Sequence, residues 1–334
     1  MTQLPQVRAA PWYPGQMGVP GSDVQRGFRW SPTAIVLYVD ENHPNATAVA
    51  DGTDPENPLN SIQQAVNRLI SFQTAMAPVS LVGSVIVVGA GATITESVII
   101  PPTAPLGCTI LGMGANVHSP TWTAATAAGT ALTVRREYWT IEGFEFRTGT
   151  AGTAIGLELT AGGYNALGTT IRNCFFWGQW NGLYGINFVG APHRVTIEHC
   201  EFMEYRRANG TAYAIVVSDA ALVNPYECHV NYNVFWENEN HVGPTTPDRS
   251  FNMSTFIGNV FHRGVLIPST LQLDLRGGSR GQNIVTQNVF YGDYSNAGGY
   301  WAHAANSDMW AGNFTDDWAE PEVGPDGITI KPPV

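Results

Sequence analysis

Charge is scarce in this sequence: only 13% of its 334 residues are Asp, Glu, Lys or Arg, and they sum to a formal net charge of −11. No basic run or stripe is present, so the electrostatic footprint of a nucleic-acid binder is missing. No apolar run approaches the roughly 18 residues that a membrane-spanning helix needs. The opening Met1-Thr-Gln-Leu-Pro lacks the charged and apolar regions of a secretory signal, which points to a protein that stays in the cytoplasm where it is made. Under that reading the NxS/T sequons at Asn45, Asn209, Asn252 and Asn313 are chance occurrences. Cysteine is also sparse. Cys108, Cys174, Cys200 and Cys228 include no CxxC pair, which argues against zinc and for buried thiols in a reducing compartment.

What is abundant is turn chemistry, with 36 Gly and 22 Pro, and a recurring phrase. Ile141-Glu-Gly-Phe-Glu-Phe146, Ile171-Arg-Asn-Cys-Phe-Phe176 and Ile197-Glu-His-Cys-Glu-Phe202 come first. Val230-Asn-Tyr-Asn-Val-Phe235, Phe256-Ile-Gly-Asn-Val-Phe261 and Val285-Thr-Gln-Asn-Val-Phe290 follow. Their final Phe residues lie 30, 26, 33, 26 and 29 positions apart. A β-rich unit at this period marks a solenoid, in which each coil buries its apolar face by stacking on the next. Shorter strands precede the phrases, among them Tyr184-Gly-Ile-Asn-Phe188 and Tyr213-Ala-Ile-Val-Val217. The expected fold is all-β: a right-handed parallel β-helix of about eight coils of roughly 29 residues, about 40 Å long.

Two columns of the phrase predict internal stacks. The final Phe residues form one. Two positions earlier stand Phe144, Cys174, Cys200, Asn233, Asn259 and Asn288, whose three Asn predict an amide ladder inside the turns. Cys174 and Cys200 would sit one coil apart with parallel side chains, a poor geometry for a disulfide.

Three further segments complete the expected organisation. Residues 1–35 read as an extended docking arm, because Trp12, Tyr13, Phe28 and Trp30 are too aromatic for plain disorder. Residues 36–314 form the β-helix, covered at its start by a helix over 60–74 with Asn60 as N-cap and Gln63 completing a capping box. Residues 315–334 are a Pro-rich and acidic tail. The carboxylates Asp40, Glu41, Asp51, Asp54 and Glu56 lie in turn-rich sequence without EF-hand spacing, so no metal or cofactor is expected.

The segment Tyr38-Val-Asp40, Asp51-Gly-Thr-Asp-Pro-Glu-Asn-Pro-Leu59 and the helix that follows resembles the start of pectate-lyase-like right-handed parallel β-helices. So do Val85-Ile-Val-Val-Gly-Ala-Gly91 and Thr109-Ile-Leu-Gly-Met-Gly114. With the aromatic arm and no leader, the chain is similar to bacteriophage virion proteins of that superfamily, namely tailspikes and head-surface decorations. The resemblance implies a homotrimer located on the virion, docked to capsid or tail proteins through its arm. It also implies possible contact with cell-surface glycans.

Glycan-cleaving relatives would need paired carboxylates. Aligning the strands before each phrase places Glu158, Asn187, Val216 and Asp274 in one outward column, with Asp219 just beyond its strand. Glu158 and Asp274 are then about 19 Å apart, too far to share a bond, and Asp219 and Asp274 about 10 Å. The fallback catalytic set is Asp219, Asp274 and Arg276, with the acids read as ordinary solvated groups. No column is expected to hold several acids in adjacent coils. His193, His199, His229, His241 and His262 lack metal-site spacing. Trp177, Trp180, Tyr205, Trp236, Tyr291, Tyr294, Tyr300 and Trp301 follow the phrases at corners or in loops and mark an interface or a glycan groove. The primary expectation is a structural virion protein. The alternatives are a polysaccharide hydrolase or lyase, and a non-catalytic glycan-binding adhesin.

Overall fold

The computed structural model describes residues 33–114, 119–158, 166–190, 192–207, 211–218, 224–246, 249–262, 271–275, 281–291, 301–303 and 308–315. The arm residues Trp12, Tyr13, Phe28 and Trp30, the acid Asp219, Arg276 and nearly all of the tail lie outside them. Three parallel sheets run through the described residues, with ten, nine and eight strands. Successive strands visit the first, second and third sheet in turn, so each strand pairs with the equivalent strand of the next coil. The first sheet runs from Val36–Val39 to Met309–Ala311 and the second from Thr93–Thr95 to Phe314–Thr315. The third runs from Val98–Ile100 to Trp301–His303. This is a parallel β-helix.

The phrase is a strand, a sharp corner and a second strand. Thr196–Glu198 belongs to the first sheet and Glu201–Met203 to the second. His199 between them takes a left-handed backbone (φ 53), and Cys200 turns inward, 2% exposed. The same left-handed residue recurs at Gly143, Asn173, Tyr232, Gly258, Gln287 and Gly312. A second series enters the first sheet at Gly107, Tyr138, Gly168, Arg194, Glu227, Met253 and Gln282. Each non-glycine there costs about 1–2 kcal/mol, which the stacking of the coils must offset. The three-residue strand of the first sheet is thus held between two left-handed corners.

The predicted Phe column is continuous. Phe146, Phe176, Phe202, Phe235, Phe261 and Phe290 stack with centroids 4.5–5.1 Å apart and planes within 10°. The Asn ladder is present and runs one step further, to Asn313. The other corner carries its own ladder. There Cys228 N donates to Ser254 Oγ, Ser254 N to Asn283 Oδ1, and Asn283 N to Asp308 Oδ1, each at 3.0 Å. These bonds satisfy buried backbone donors that no strand partner reaches.

The single helix among the described residues is Ile62–Ala75, and it buries Ile62, Ala65, Val66 and Leu69 against the first coil. Its N-cap is Ser61, not the expected Asn60. Ser61 Oγ accepts from Gln64 N and donates to Glu96, whose carboxylate also accepts from Ile62 N and Gln63 N. A carboxylate suits the positive end of the helix better than an amide. Gln63 is freed for another task. Its side-chain amide accepts from Ile99 N at 2.7 Å and donates to Ile99 O at 3.3 Å, covering the terminal strand of the third sheet as a backbone neighbour would.

Candidate functional site

On the third sheet, the structure corrects the expected outward column. Gly156 pairs with Asn187, Asn187 with Val216 and Val216 with Gly243, whereas Glu158 is level with Val189 and Ser218. Glu158 is therefore two residues out of the predicted alignment, and Arg135 Nε engages its carboxylate at 2.7 Å. Asp274 is not a solvated acid. It is only 3% exposed and lies one coil beyond Gly243. A Cβ at Gly243 would stand 3.0 Å from Asp274 Cβ and 3.4 Å from Tyr213 Cε1, so the missing side chain leaves room for both. The fallback set is represented in the described residues by Asp274 alone.

Sequence reading missed a charged column on the first sheet. Glu142, Arg172 and Glu198 are in register on three consecutive coils. Arg172 Nε and Nη2 donate to Glu142 Oε2 at 3.0 and 2.7 Å, and Asn173 Nδ2 donates to Glu142 Oε1 at 2.9 Å. The two carboxylates stand two coils apart, ~9.6 Å by strand spacing, near the inverting range. The Arg172 guanidinium and the Asn173 amide occupy both oxygens of Glu142, which makes it an ion-paired carboxylate and not a free acid or base. Its signal was in the second letter of each phrase: Glu, Arg, Glu.

The second sheet gathers the aromatics. Arg147, Trp177, Met203, Trp236 and His262 occupy one outward column on consecutive strands, and Tyr291 is in register with His262 on the next. The Arg147 guanidinium lies 5.4 Å from the Trp177 ring centre and is also paired with Glu145. Trp177 Nε1 donates to Glu204. The following turn brings up Trp180, 36% exposed, with the Arg206 guanidinium 5.8 Å from its ring centre. That turn lies directly on the next coil, because a Cβ at Gly178 would sit 2.5 Å from Glu204 O. Further along, Trp236 stacks on His262 at 4.9 Å. Trp177, Trp180 and Trp236 thus share one side of the rod.

Other predicted surface aromatics fall elsewhere. Tyr205 is fully buried, its hydroxyl 2.7 Å from Thr148 Oγ1, and burial holds its phenol above the ordinary range. Its corner position reads as surface in sequence because the chain there turns inward before the third sheet. Tyr294 and Tyr300 lie outside the described residues, as do the side chains of Tyr291 and Trp301.

The remaining chemistry is quiet. All four cysteines are free and buried, and burial pushes the thiols of Cys108 and Cys228 up to about 12, leaving no thiolate at neutral pH. His241 is fully buried beside Phe235 and Phe261, and burial lowers its imidazole to about 3. His193 stacks on Tyr226 and His199 on Tyr232. Among the described residues no group of three or more His, Cys, Asp or Glu is placed to hold a metal. The N-terminal acids serve their own turns: Asp40, Asp51 and Asp54 accept from Asn42 N, Thr53 N and Glu56 N.

No protein-family profile and no curated protein sequence matches the chain. Solved structures do. An alginate lyase from Paenibacillus sp. str. FPU-7 is 16% identical, with a TM-score of 0.40, over 68% of this chain and 74% of that one. ORF18 of Geobacillus virus E2 is 10% identical, TM-score 0.45, over 90% of this chain. The tailspike protein of E. coli bacteriophage HK620, solved with a pentasaccharide, is 13% identical, TM-score 0.42, over 81% of this chain. The chain spans 61% and 58% of the lengths of these two phage proteins. By its own strand pairing, the chain is an all-β parallel β-helix.

Proposed function

We propose that this chain is a structural component of a bacteriophage particle, a β-helical decoration or short spike that meets cell-surface glycans without cleaving them. The Trp177–Trp180 face of the second sheet carries this reading. Each ring has a guanidinium over one face, and Glu204 fixes the edge of Trp177. Rings held in this way form a pre-organised platform on which the C–H face of a pyranose stacks. Arg147, Arg206 and the neighbouring carboxylates supply donors and acceptors to hydroxyls. The chain's acidity favours a neutral polysaccharide over a polyanion. Glu142, held by Arg172 and Asn173, is an ion-paired carboxylate and not a free acid or base, which supports binding over turnover.

Docking falls to the N-terminal segment with Trp12, Tyr13, Phe28 and Trp30, which supplies the apolar anchors that capsid or tail proteins would bury.

The test is titration calorimetry of the full chain against purified host surface polysaccharides, with reducing-end release followed in parallel. Binding without release is expected, weakened at least tenfold in Trp177→Ala and Trp180→Ala at unchanged circular dichroism. No binding to any host polysaccharide would remove the glycan reading. Release of sugar would make the chain an enzyme and return attention to Asp219, Asp274 and Arg276.

A further inference from the structure

The interior beside the third sheet turns polar partway along the rod. His241 and Gln272 are level on adjacent strands, since Asn240 pairs with Leu271 and Val242 with Leu273. On the two preceding strands the same level holds Gly185 and Ala214. Neither His241 nor Gln272 has any exposed surface. The imidazole packs beside Phe235 and Phe261, so it points into the rod. Yet His241 Nε2, Gln272 Oε1 and Gln272 Nε2 have no hydrogen-bond partner among the described residues, each other included. Three such atoms on neighbouring side chains are unusual in a folded interior, because each is costly to strip of water.

The surroundings decide what satisfies them. Tyr205 N donates to Asn238 Oδ1 at 3.0 Å, which fixes the orientation of that amide. Asn238 Nδ2 then donates to Phe202 O at 2.9 Å and to His241 Nδ1 at 3.1 Å. Burial lowers the imidazole to about 3, so the ring is neutral at neutral pH. With Nδ1 accepting, its one proton is on Nε2, which needs an acceptor. The His262 backbone approaches the ring but falls short of a hydrogen bond to Nε2. Gln272 brings two N–H groups and an acceptor oxygen. An anion would satisfy the N–H groups and leave Gln272 Oε1 stranded, and a cation would face the Nε2–H. Water both accepts and donates, and buried waters characteristically bridge groups of this kind. The spacing also fits. Two partners of one water, each ~2.9 Å away at a tetrahedral angle, stand ~4.7 Å apart, which is the separation of adjacent strands.

We propose that one water molecule is bound inside the rod between His241 Nε2 and the Gln272 side-chain amide, joining the strands Asn240–Pro244 and Leu271–Leu275. It extends a polar thread that starts at Tyr205 N and passes through Asn238 and His241. Three consecutive coils are thereby linked at the corner entering the third sheet, as amide ladders link them at the other two. The site is internal and independent of the glycan reading.

A crystal structure of the full chain, at a resolution that shows ordered waters, tests it. One density peak is expected within hydrogen-bond distance of both His241 Nε2 and a Gln272 side-chain atom. A direct His241–Gln272 hydrogen bond, an empty gap, or an anomalous peak there after bromide soaking would each overturn the proposal. In solution, nitrogen NMR of the wild type should find His241 protonated on Nε2, and the Nδ1–H tautomer would count against the site. Relaxation dispersion of the solvent oxygen should report one long-lived water fewer in Gln272→Leu than in the wild type, at unchanged circular dichroism. An equal number in both would refute the assignment.

Discussion

Asn259 completes the corner of the coil before it. Its Oδ1 accepts from Asn233 N at 3.0 Å and from Asn233 Nδ2 at 3.2 Å, while its own Nδ2 donates to Val230 O at 2.8 Å and to Asn288 Oδ1 at 2.9 Å. All of these groups are buried, so none can turn to water instead. Replacing Asn259 by Ala strands a backbone N–H and a carbonyl together, and each costs about 1–3 kcal/mol. The expected loss is about 3 kcal/mol by denaturant unfolding. A loss below about 0.5 kcal/mol would mean that the ladder adds little.

His241 makes the fold acid-sensitive. Its Nδ1 is 3.1 Å from Asn238 Nδ2, and its Nε2 has no hydrogen-bond partner among the described residues. The unfolded chain takes up a proton near 6.5, whereas the folded protein resists until about 3. Stability from this residue is complete above pH 6.5 and is lost as pH falls from there to about 3, on the order of 4–5 kcal/mol in all. His241→Phe should flatten that part of the stability–pH curve. An unchanged slope would rule His241 out as its source.

Gly258 has a left-handed backbone (φ 66), and a Cβ on it would stand 2.6 Å from Tyr232 Cδ1. Gly258→Ala therefore meets both strain and a ring, and should cost about 2 kcal/mol. In a Tyr232→Ala background the increment should fall to about 1 kcal/mol, leaving the backbone share. A double-mutant cycle with no coupling would show that the ring moves aside freely.

Arg172 and Arg194 test how much burial matters to an ion pair. The Arg172–Glu142 side chains are 8% and 14% exposed, and those of Arg194 and Glu227 are 60% and 42%. Arg172→Leu should cost about 3 kcal/mol, because Glu142 is left charged and largely desolvated. Arg194→Ala should leave the unfolding midpoint unchanged. Equal effects would refute the assignment of Arg172–Glu142 as a buried ion pair.

The phrase made the first two sheets legible because its inward positions are filled by nearly the same residue in each coil, Phe in one column and Asn in part of another. The corner entering the first sheet escaped notice for the opposite reason. Its inward column reads Cys108, Trp139, Thr169, Val195, Cys228, Ser254, Asn283 and Asp308, and no common letter betrays it although the backbone repeats. Glu158 was misaligned because the strands of the third sheet were matched by pattern, while the loops around them vary in length. Asp274 looked solvated by strand alternation, which cannot register that Gly243 opens a recess for it. Trp177 and Trp236 were recognised as surface residues, but only the pairing of their strands put them in one column.

The two corner ladders run one way. Cys200 N reaches Asn233, Asn233 N reaches Asn259, Asn259 N reaches Asn288, and Asn288 N reaches Asn313. At the other corner Cys228, Ser254 and Asn283 likewise reach forward. Every coil in this half thus depends on the one made after it. During synthesis the earlier coil leaves the ribosome before the amide that completes it exists. Each corner of this half is therefore completed one coil late, once the amide of the following coil is in place. A truncation that removes Asn313 should strand the backbone N–H and one side-chain N–H of Asn288 in the coil before it, while the corners at Asn233 and Asn259 keep their partners.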